Sequence, residues 1–200
     1  MHAIDDIRAL AAANRHRARE IIRTLRIEEI WHDAGARINL VGSLRTGLLM
    51  THRDIDFHIY SPCLRLAESF AAIERLAANS GIRRIEFANL LDAPDRCLEW
   101  HAWYAGGDGA LWQIDMIHMA DASPWDGYFE RFADRIAAVL TDETRDTILK
   151  LKYEYETNGA AKIPGIAYYM AVLRDGIRTR AQFDTWLAAH PLDGIVEWMP

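Results

Sequence analysis

Two aspartates stand one residue apart in an otherwise apolar segment, DIDFHIY, at residues 54–60. Because strand side chains alternate between faces, Asp54 and Asp56 are predicted to share one face, while Ile55 and Phe57 point into the core. Two carboxylates about 6.6 Å apart on one strand repel each other unless a cation or hydrogen-bond donors lie between them. Mg²⁺ binds one or two protein carboxylates together with water and substrate phosphate oxygens, so the pair indicates a magnesium site.

A third acid, Asp115, lies in a second apolar segment, residues 111–119. Its apolar neighbours Ile114 and Met116 predict a strand whose opposite face carries the carboxylate. Three carboxylates on adjacent strands can hold two divalent ions roughly 3.5–4 Å apart, the arrangement used for in-line phosphoryl or nucleotidyl displacement. Asp54, Asp56 and Asp115 are therefore the candidate metal ligands and catalytic residues.

Gly42 and Ser43 directly follow a predicted strand and open a short helical segment. A helix start directs backbone N–H groups at an anion, and glycine allows a phosphate to approach the backbone closely. The Ser43 hydroxyl can donate to a phosphate oxygen or cap the helix. This turn is therefore predicted to bind a phosphate group.

Together these residues resemble the nucleotidyltransferase superfamily with a DNA polymerase β-like core. Gly42-Ser43, ten further residues and then Asp54-Ile55-Asp56-Phe57 match its pattern of Gly, Gly or Ser, a spacer, and two acids separated by one hydrophobic residue. The resemblance covers roughly residues 36–119. It implies that a later strand of the same sheet supplies the third metal-binding carboxylate, here Asp115.

The wider element GSLRTG, residues 42–47, is similar to the Gly-Ser-x-x-x-Gly element of small bacterial members, which include antibiotic-modifying and toxin–antitoxin-type enzymes. Those members more often have Ala-Arg where this chain has Arg45-Thr46. The resemblance implies an ATP- or other nucleotide-binding transferase that uses two Mg²⁺ ions. Gly42, Ser43 and Arg45 are its candidate nucleotide-binding residues.

The same aspartates also have a purely structural interpretation, in which Asp54 caps a turn and Asp56 pairs with Arg45 or Arg53. The accompanying Gly-Ser turn and the later acid favour the metal site. Residues 52–54, His-Arg-Asp, lack the later Asn of a kinase catalytic loop, and no P-loop motif occurs.

The amino-acid composition limits the classes of binding partner that we expect. The 200 residues carry a formal net charge of −6, with three Lys beside twenty Arg, and no strong basic run. Long nucleic acids usually bind a clustered positive patch, so the charge argues against a nucleic-acid partner. The N-terminus lacks the pattern of a signal peptide, and no apolar run reaches roughly 18 residues. We therefore expect a cytoplasmic protein without membrane contact.

Hydrophobic periodicity predicts an α+β fold, with a mixed β-sheet nucleotidyltransferase core flanked by helices and an all-helical C-terminal lobe. Predicted strands span residues 36–41, 54–60, 82–88, 98–104 and 111–119, the last two forming a hairpin. Predicted helices span residues 4–25, 64–78, 128–140, 143–155, 166–174 and 181–190. We place the boundary near residue 121, between a core of residues 1–121 and a lobe of residues 122–200.

The sequence thus predicts magnesium-dependent transfer of a nucleoside monophosphate from a nucleoside triphosphate to an acceptor hydroxyl, with release of pyrophosphate. Asp115 is the candidate base. A small hydroxylated molecule is the favoured acceptor. Nucleotidylation of a protein or tRNA, and a non-catalytic nucleotide-binding regulatory module, stay open as alternatives. Lys150 and Lys152, on one predicted helix, are interpreted as part of a solvated face, with contact to a triphosphate as the alternative. The preferred base and the oligomeric state are not predicted.

Overall fold

A computed structural model of the chain describes residues 3–107, 109–158, 162–192 and 196–200. Its strands are β1 (Arg37–Leu40), β2 (Asp54–Ser61), β3 (Ile82–Leu90), β4 (Cys97–Ala105) and β5 (Leu111–Ala120). Its helices are α1 (Ile4–Leu25), α2 (Ile27–Asp33), α3 (Gly42–Arg45), α4 (Leu66–Ala77), α5 (Tyr128–Val139), α6 (Asp142–Glu156), α7 (Gly165–Tyr169) and α8 (Arg180–Ala189). A π-helical turn, Met170–Arg174, continues α7.

The five strands form one mixed sheet in the order β1-β2-β5-β4-β3. β2 and β5 pair in parallel, whereas the other neighbouring strands pair antiparallel. A parallel pair needs a crossover connection, which α4, β3 and β4 supply here. The predicted mixed sheet and the antiparallel β4–β5 pair are confirmed. Asp108, part of the predicted hairpin connection, lies outside the described residues.

The first helix, α1, confirms the predicted amphipathic helix, since apolar residues recur along one side at helical spacing. It ends at Arg26, whose φ of 52° is left-handed, and α2 starts directly afterwards. α2 is absent from the prediction. Its buried residues are Ile27, Ile30 and Trp31.

The described residues form two large hydrophobic cores and a small cluster of Tyr60, Cys97 and Met119. The first packs one face of the sheet against residues of α1, α2 and α4 and includes Trp31. The second is built mainly by the helices that follow the sheet and includes Phe183. α1 contributes Ile21 to the first core and Ile7 to the second. One continuous helix therefore belongs to both cores.

Most element boundaries lie within two residues of the predicted ones. The predicted helix at residues 166–174 instead divides into α7 and the π-helical turn, in which the Asp175 N–H donates to the Met170 carbonyl, five residues back, at 3.1 Å. Within the described ranges, no helix is long and apolar enough to cross a membrane.

Candidate active site

The face of β2 opposite the first core carries the predicted acids. Ile55 and Phe57 are buried in that core, while Asp54, Asp56 and His58 alternate with them and line a cleft. The alternation that the sequence predicts for this strand is therefore present.

Asp115 lies beside this pair. β5 runs parallel to β2, and the register places Asp115 opposite Asp56 and Gln113 opposite Asp54. Neighbouring strands lie about 4.8 Å apart, and paired residues point to the same face. The structure thus brings the three predicted acids together on two adjacent strands.

Gly42 approaches Asp56 from the end of β1. Its φ of +64° is left-handed, and a Cβ added there would overlap the Asp56 carboxylate. The preceding Val41 N–H donates to the Asp56 carbonyl at 2.9 Å, which fixes the turn against β2. Both the backbone conformation and the close approach therefore require glycine at this position. Ser43 lines the same cleft.

The charge of the Asp56 carboxylate is only partly compensated by its surroundings. Burial, and then the charges of Asp54 and Asp115, raise the pKa of Asp56 to about 7, against an opposing effect of the nearby lysines. Its side chain has no hydrogen-bond partner among the described residues. A cation that neutralised these acids would reverse the shift, because an opposite charge favours the ionised form.

Lys162 places an ammonium group at the acids. Its Nζ lies 2.8 Å from Asp54 Oδ2. Burial lowers the pKa of Lys162, but the hydrogen bond and charge of Asp54 outweigh it, together with the charges of Asp115 and Asp56, so the pKa is raised.

In the part of the chain that the structure describes, no group of three or more Asp, Glu, His or Cys side chains is arranged to hold a metal ion.

The donor chemistry nevertheless suits a divalent cation. Hard ions such as Mg²⁺ prefer carboxylate oxygens, and Asp54 and Asp56 provide them on one face of β2. The raised pKa of Asp56 and the attraction of Lys162 to Asp54 both show that the site favours positive charge. In donor type these carboxylates fit Mg²⁺, at the position that the Lys162 ammonium group occupies beside Asp54.

Asp115 is held by its neighbours on β4 and β5. Its Oδ1 lies 2.6 Å from His101 Nδ1 and accepts a hydrogen bond from Gln113 Nε2 at 2.8 Å. The other ring nitrogen of His101 lies 3.0 Å from Glu99 Oε1. A chain of contacts from Glu99 through His101 therefore fixes the orientation of Asp115.

Glu156, at the end of α6, holds the loop that leads into β2. Its Oε2 accepts hydrogen bonds from the Thr51 N–H at 2.7 Å, the Thr51 hydroxyl at 2.6 Å and the His52 N–H at 2.7 Å. The Glu156 side chain is only 6% exposed. The helical part of the chain thus positions the residues immediately before Asp54.

Lys152 differs from the prediction. It is buried, lines the cleft and donates to the Leu48 carbonyl at 2.9 Å, with Glu156 at 3.8 Å. Burial lowers the pKa of Lys152, while Glu156 opposes this shift. The predicted solvated face is correct for Lys150, which is exposed, and wrong for Lys152, because tertiary packing covers it.

Arg45, predicted to bind nucleotide, points elsewhere. Its guanidinium forms two hydrogen bonds of 2.8 Å with Asp134, and its Nη1 donates to the Leu40 carbonyl at 2.9 Å. Among the described residues that line the cleft, Arg45 is absent. We therefore leave it out of the nucleotide site, and the alternative pairing of Arg45 with Asp56 is not found either.

The cleft itself has a volume of about 460 Å³, within the roughly 300–1,000 Å³ typical of small-molecule sites. The acids form one wall, and residues of α5, α6 and α7 form the others. Tyr169 lines it on the α7 side, where burial raises its pKa to about 12. A substrate in this cleft would contact the sheet and the helical part at once.

No protein-family model matches the sequence, and no curated protein matches it. Solved structures match its fold. The poly(U) polymerase Cid1 bound to MgGTP aligns with a TM-score of 0.60 and 18% identity, over 80% of this chain and 50% of that one. A cytoplasmic RNA terminal U-transferase aligns with a TM-score of 0.55 and 18% identity, over 80% of this chain and 47% of that one. The GLD-2/RNP-8 complex aligns with a TM-score of 0.55 and 11% identity, over 86% of this chain and 64% of that one. The chain has the nucleotidyltransferase fold.

The nucleotidyltransferase fold was the one expected from the Gly-Ser and Asp-x-Asp elements. The chain spans between 47% and 64% of the length of these three structures. At these identities the structural alignments show the fold alone. None of the three supports the small bacterial subgroup that the sequence suggested.

Sequence analysis missed His101, Glu156 and Lys162. His101 had a usable signal, because it alternates with apolar residues on β4 and the β4–β5 register places it opposite Asp115. The contacts of Glu156 with Thr51 and of Lys162 with Asp54 carry no local signal, since these partners lie more than 100 residues away.

Proposed function

We propose that the chain is a Mg²⁺-dependent nucleotidyltransferase that moves a nucleoside monophosphate from a nucleoside triphosphate to an acceptor hydroxyl and releases pyrophosphate. The observation that carries the proposal is the pairing of Asp56 with Asp115 beside Gly42, inside a cleft of the nucleotidyltransferase fold.

Asp54, Asp56 and Asp115 are the proposed ligands of two Mg²⁺ ions. When bound, the ions would supply charge neutralisation on the triphosphate and lower the pKa of the acceptor hydroxyl. The neighbouring structures include Mg-nucleotide complexes of Cid1, which supports the choice of cofactor and co-substrate.

The chain's own cations and amides suit a polyphosphate. Lys152 and Lys162 line the cleft close to Asp54, and Gly42 and Ser43 face it from the turn after β1. Two ammonium groups and a turn that only glycine can form are the groups that recognise phosphate. We assign this side of the cleft to the β and γ phosphates.

Asp115 is the proposed base. The acceptor hydroxyl gives its proton to the Asp115 carboxylate, and its oxygen forms a bond to the α-phosphorus. The bond from that phosphorus to the bridging oxygen breaks, and pyrophosphate leaves with the electron pair. His101 and Gln113 orient the carboxylate, which supports this role because a base must be held within hydrogen-bond reach of its proton.

RNA is a second candidate acceptor. The neighbours are described as a poly(U) polymerase and an RNA terminal U-transferase, and this observation favours a terminal hydroxyl of RNA as the acceptor. It opposes the sequence-based expectation that nucleic acid is not a partner. The chemistry at the acids is the same for both acceptors.

The test incubates the chain with Mg²⁺ and each α-labelled nucleoside triphosphate, and measures label on protein, RNA and small hydroxylated molecules. The double variant Asp54→Asn/Asp56→Asn should abolish both labelling and Mg²⁺-dependent nucleotide binding. Asp92→Asn, an exposed acid outside the cleft, is the matched control and should leave both unchanged. Transfer retained in the double variant would contradict the proposal.

A further inference from the structure

The sheet face that carries the acids continues beyond them. One row further along, the register places His58 opposite Ile117, and Ile117 opposite Glu99. Successive rows on one face lie about 6.6 Å apart. A small acceptor whose hydroxyl lies at Asp115 can therefore contact this next row with the rest of its body.

A side pocket of about 200 Å³ lies over this row. This volume is below the roughly 300–1,000 Å³ of a complete small-molecule site, so the side pocket suits one part of a ligand held in the larger cleft. The residues that it shares with the cleft are His58, Glu99, Ile117 and Phe129, and its own lining includes Asp95 and Trp125.

The side pocket is negatively charged. Asp95 and Glu99 line it, and no Lys or Arg does so within the described ranges. Burial, and to a smaller extent the charges of Glu99 and Asp95, raise the pKa of Cys97 to about 11. Lys152 and Lys162 line the cleft but not the side pocket. The two ammonium groups of the cleft therefore lie outside the side pocket, and both charged residues that line the side pocket within the described ranges are acids.

Aromatic rings complete the side pocket. The ring centroids of Trp125 and Phe129 lie 5.7 Å apart, and those of His58 and Phe129 lie 4.7 Å apart. Aromatic faces beside carboxylates are a typical binding site for an organic ammonium group.

We propose that the acceptor is a small molecule bearing an organic ammonium group, which the side pocket binds while the acceptor hydroxyl lies at Asp115. The inference rests on the proposed function, because it assigns the Asp115 side of the cleft to the acceptor. A polynucleotide in the same place would bring phosphates towards Asp95 and Glu99, and like charges repel.

The test uses two probes that share a phenol and differ in charge, tyramine and 4-hydroxyphenylacetate. Calorimetry measures their binding to the full chain, with Mg²⁺ and a non-hydrolysable nucleoside triphosphate. We expect tyramine to bind about tenfold more tightly or better. Asp95→Asn/Glu99→Gln should remove most of that preference. Asp92→Asn, in the same β3–β4 loop but outside the pocket, should keep it.

Several results would overturn this inference: equal affinity for the two probes, preference for the acid, an unchanged preference in the double variant, or tighter binding of a single-stranded oligoribonucleotide than of tyramine. If the double variant unfolds, the test is repeated with Asp95→Asn alone, because this change leaves the contact of Glu99 with His101 intact. Failure of the nucleotide to bind counts against the proposed function instead. Titration without nucleotide then still measures the charge preference of the pocket.

Discussion

Asp56 of β2 and Asp115 of β5 lie opposite each other across the parallel pair of strands at the centre of the sheet. Their register is part of a ladder that pairs residues 54–61 with residues 113–120. A slip of one residue would turn one of the two acids to the core face. The whole ladder therefore maintains the proximity of two like charges that repel each other.

Gly42→Ala should lower both stability and transfer activity. Alanine at φ +64° is strained by roughly 1–2 kcal/mol, and its Cβ would in addition overlap Asp56. Gly176→Ala is the matched control, since its φ is +71° and nothing lies within 4 Å of the added Cβ. Urea denaturation should show a larger loss for Gly42→Ala, by about 1 kcal/mol or more. Equal losses would contradict the close approach.

Without metal, the stability of the wild type relative to Asp56→Asn should fall as pH rises from about 4 to about 7. The pKa of Asp56 is about 7 in the folded chain and about 3.9 when unfolded, so the folded state binds more protons in this range. Below about pH 4 Asp56 is protonated in both the folded and the unfolded state, so it has no effect on the difference in stability. Above about pH 7 Asp56 is ionised in both states, and the loss of stability is complete. Denaturation at several pH values measures the difference; a flat difference would contradict the buried, repelled carboxylate.

Glu156→Ala should destabilise the chain by roughly 3–5 kcal/mol, because it leaves the buried Lys152 and two partly buried loop N–H groups without their carboxylate. Glu143→Ala is the control on the same helix. Glu143 is 74% exposed and pairs with Arg178, so its loss should cost at most about 1 kcal/mol. Comparable losses in the two variants would show that the loop does not depend on Glu156.

Lys162→Met should strengthen Mg²⁺ binding in the absence of nucleotide, because Lys162 and the metal compete for Asp54. The Lys162 side chain is 59% exposed, and such a pair is worth up to about 1 kcal/mol, so we expect a gain of about two- to fivefold. The same variant should weaken triphosphate binding. Calorimetry measures both, with the exposed Lys150→Met as control; weaker Mg²⁺ binding in Lys162→Met would contradict the competition.

His101→Ala should lower kcat by about 10- to 100-fold and leave the Kd of the nucleotide unchanged, since His101 contacts Asp115 and not the polyphosphate side. Steady-state kinetics and nucleotide binding separate the two effects. His32→Ala, on α2, is a control outside the cleft. An unchanged kcat would remove His101 from the orientation of the proposed base.

The acid-bearing strands could be predicted because alternation is a local property. The two-residue period of a strand places Asp54 and Asp56 on one face independently of the rest of the chain. The same alternation places Asp115 on the face opposite its apolar neighbours. Lys152 could also have been placed. It lies four residues after Ile148 and three before Tyr155, both buried, which at helical spacing is one face of α6.

Other features have no local cause. Lys162 meets Asp54 across 108 residues, and Arg45 meets Asp134 across 89. Such long-range pairs form only when the helices pack on the sheet. This packing cannot be predicted from a short segment of one sequence. α2 was missed for a related reason, because it begins at Arg26 without a Gly, Pro or side-chain cap to mark its start.

The placement of α1 has a consequence for how the protein unfolds. Ile7 and Ile21 lie on one uninterrupted helix yet are anchored in separate cores. Neither core can melt alone without breaking that helix between its anchors, which loses backbone hydrogen bonds and creates new frayed ends. Sheet and helices should therefore melt together, and tryptophan fluorescence and far-ultraviolet circular dichroism should report one coincident transition.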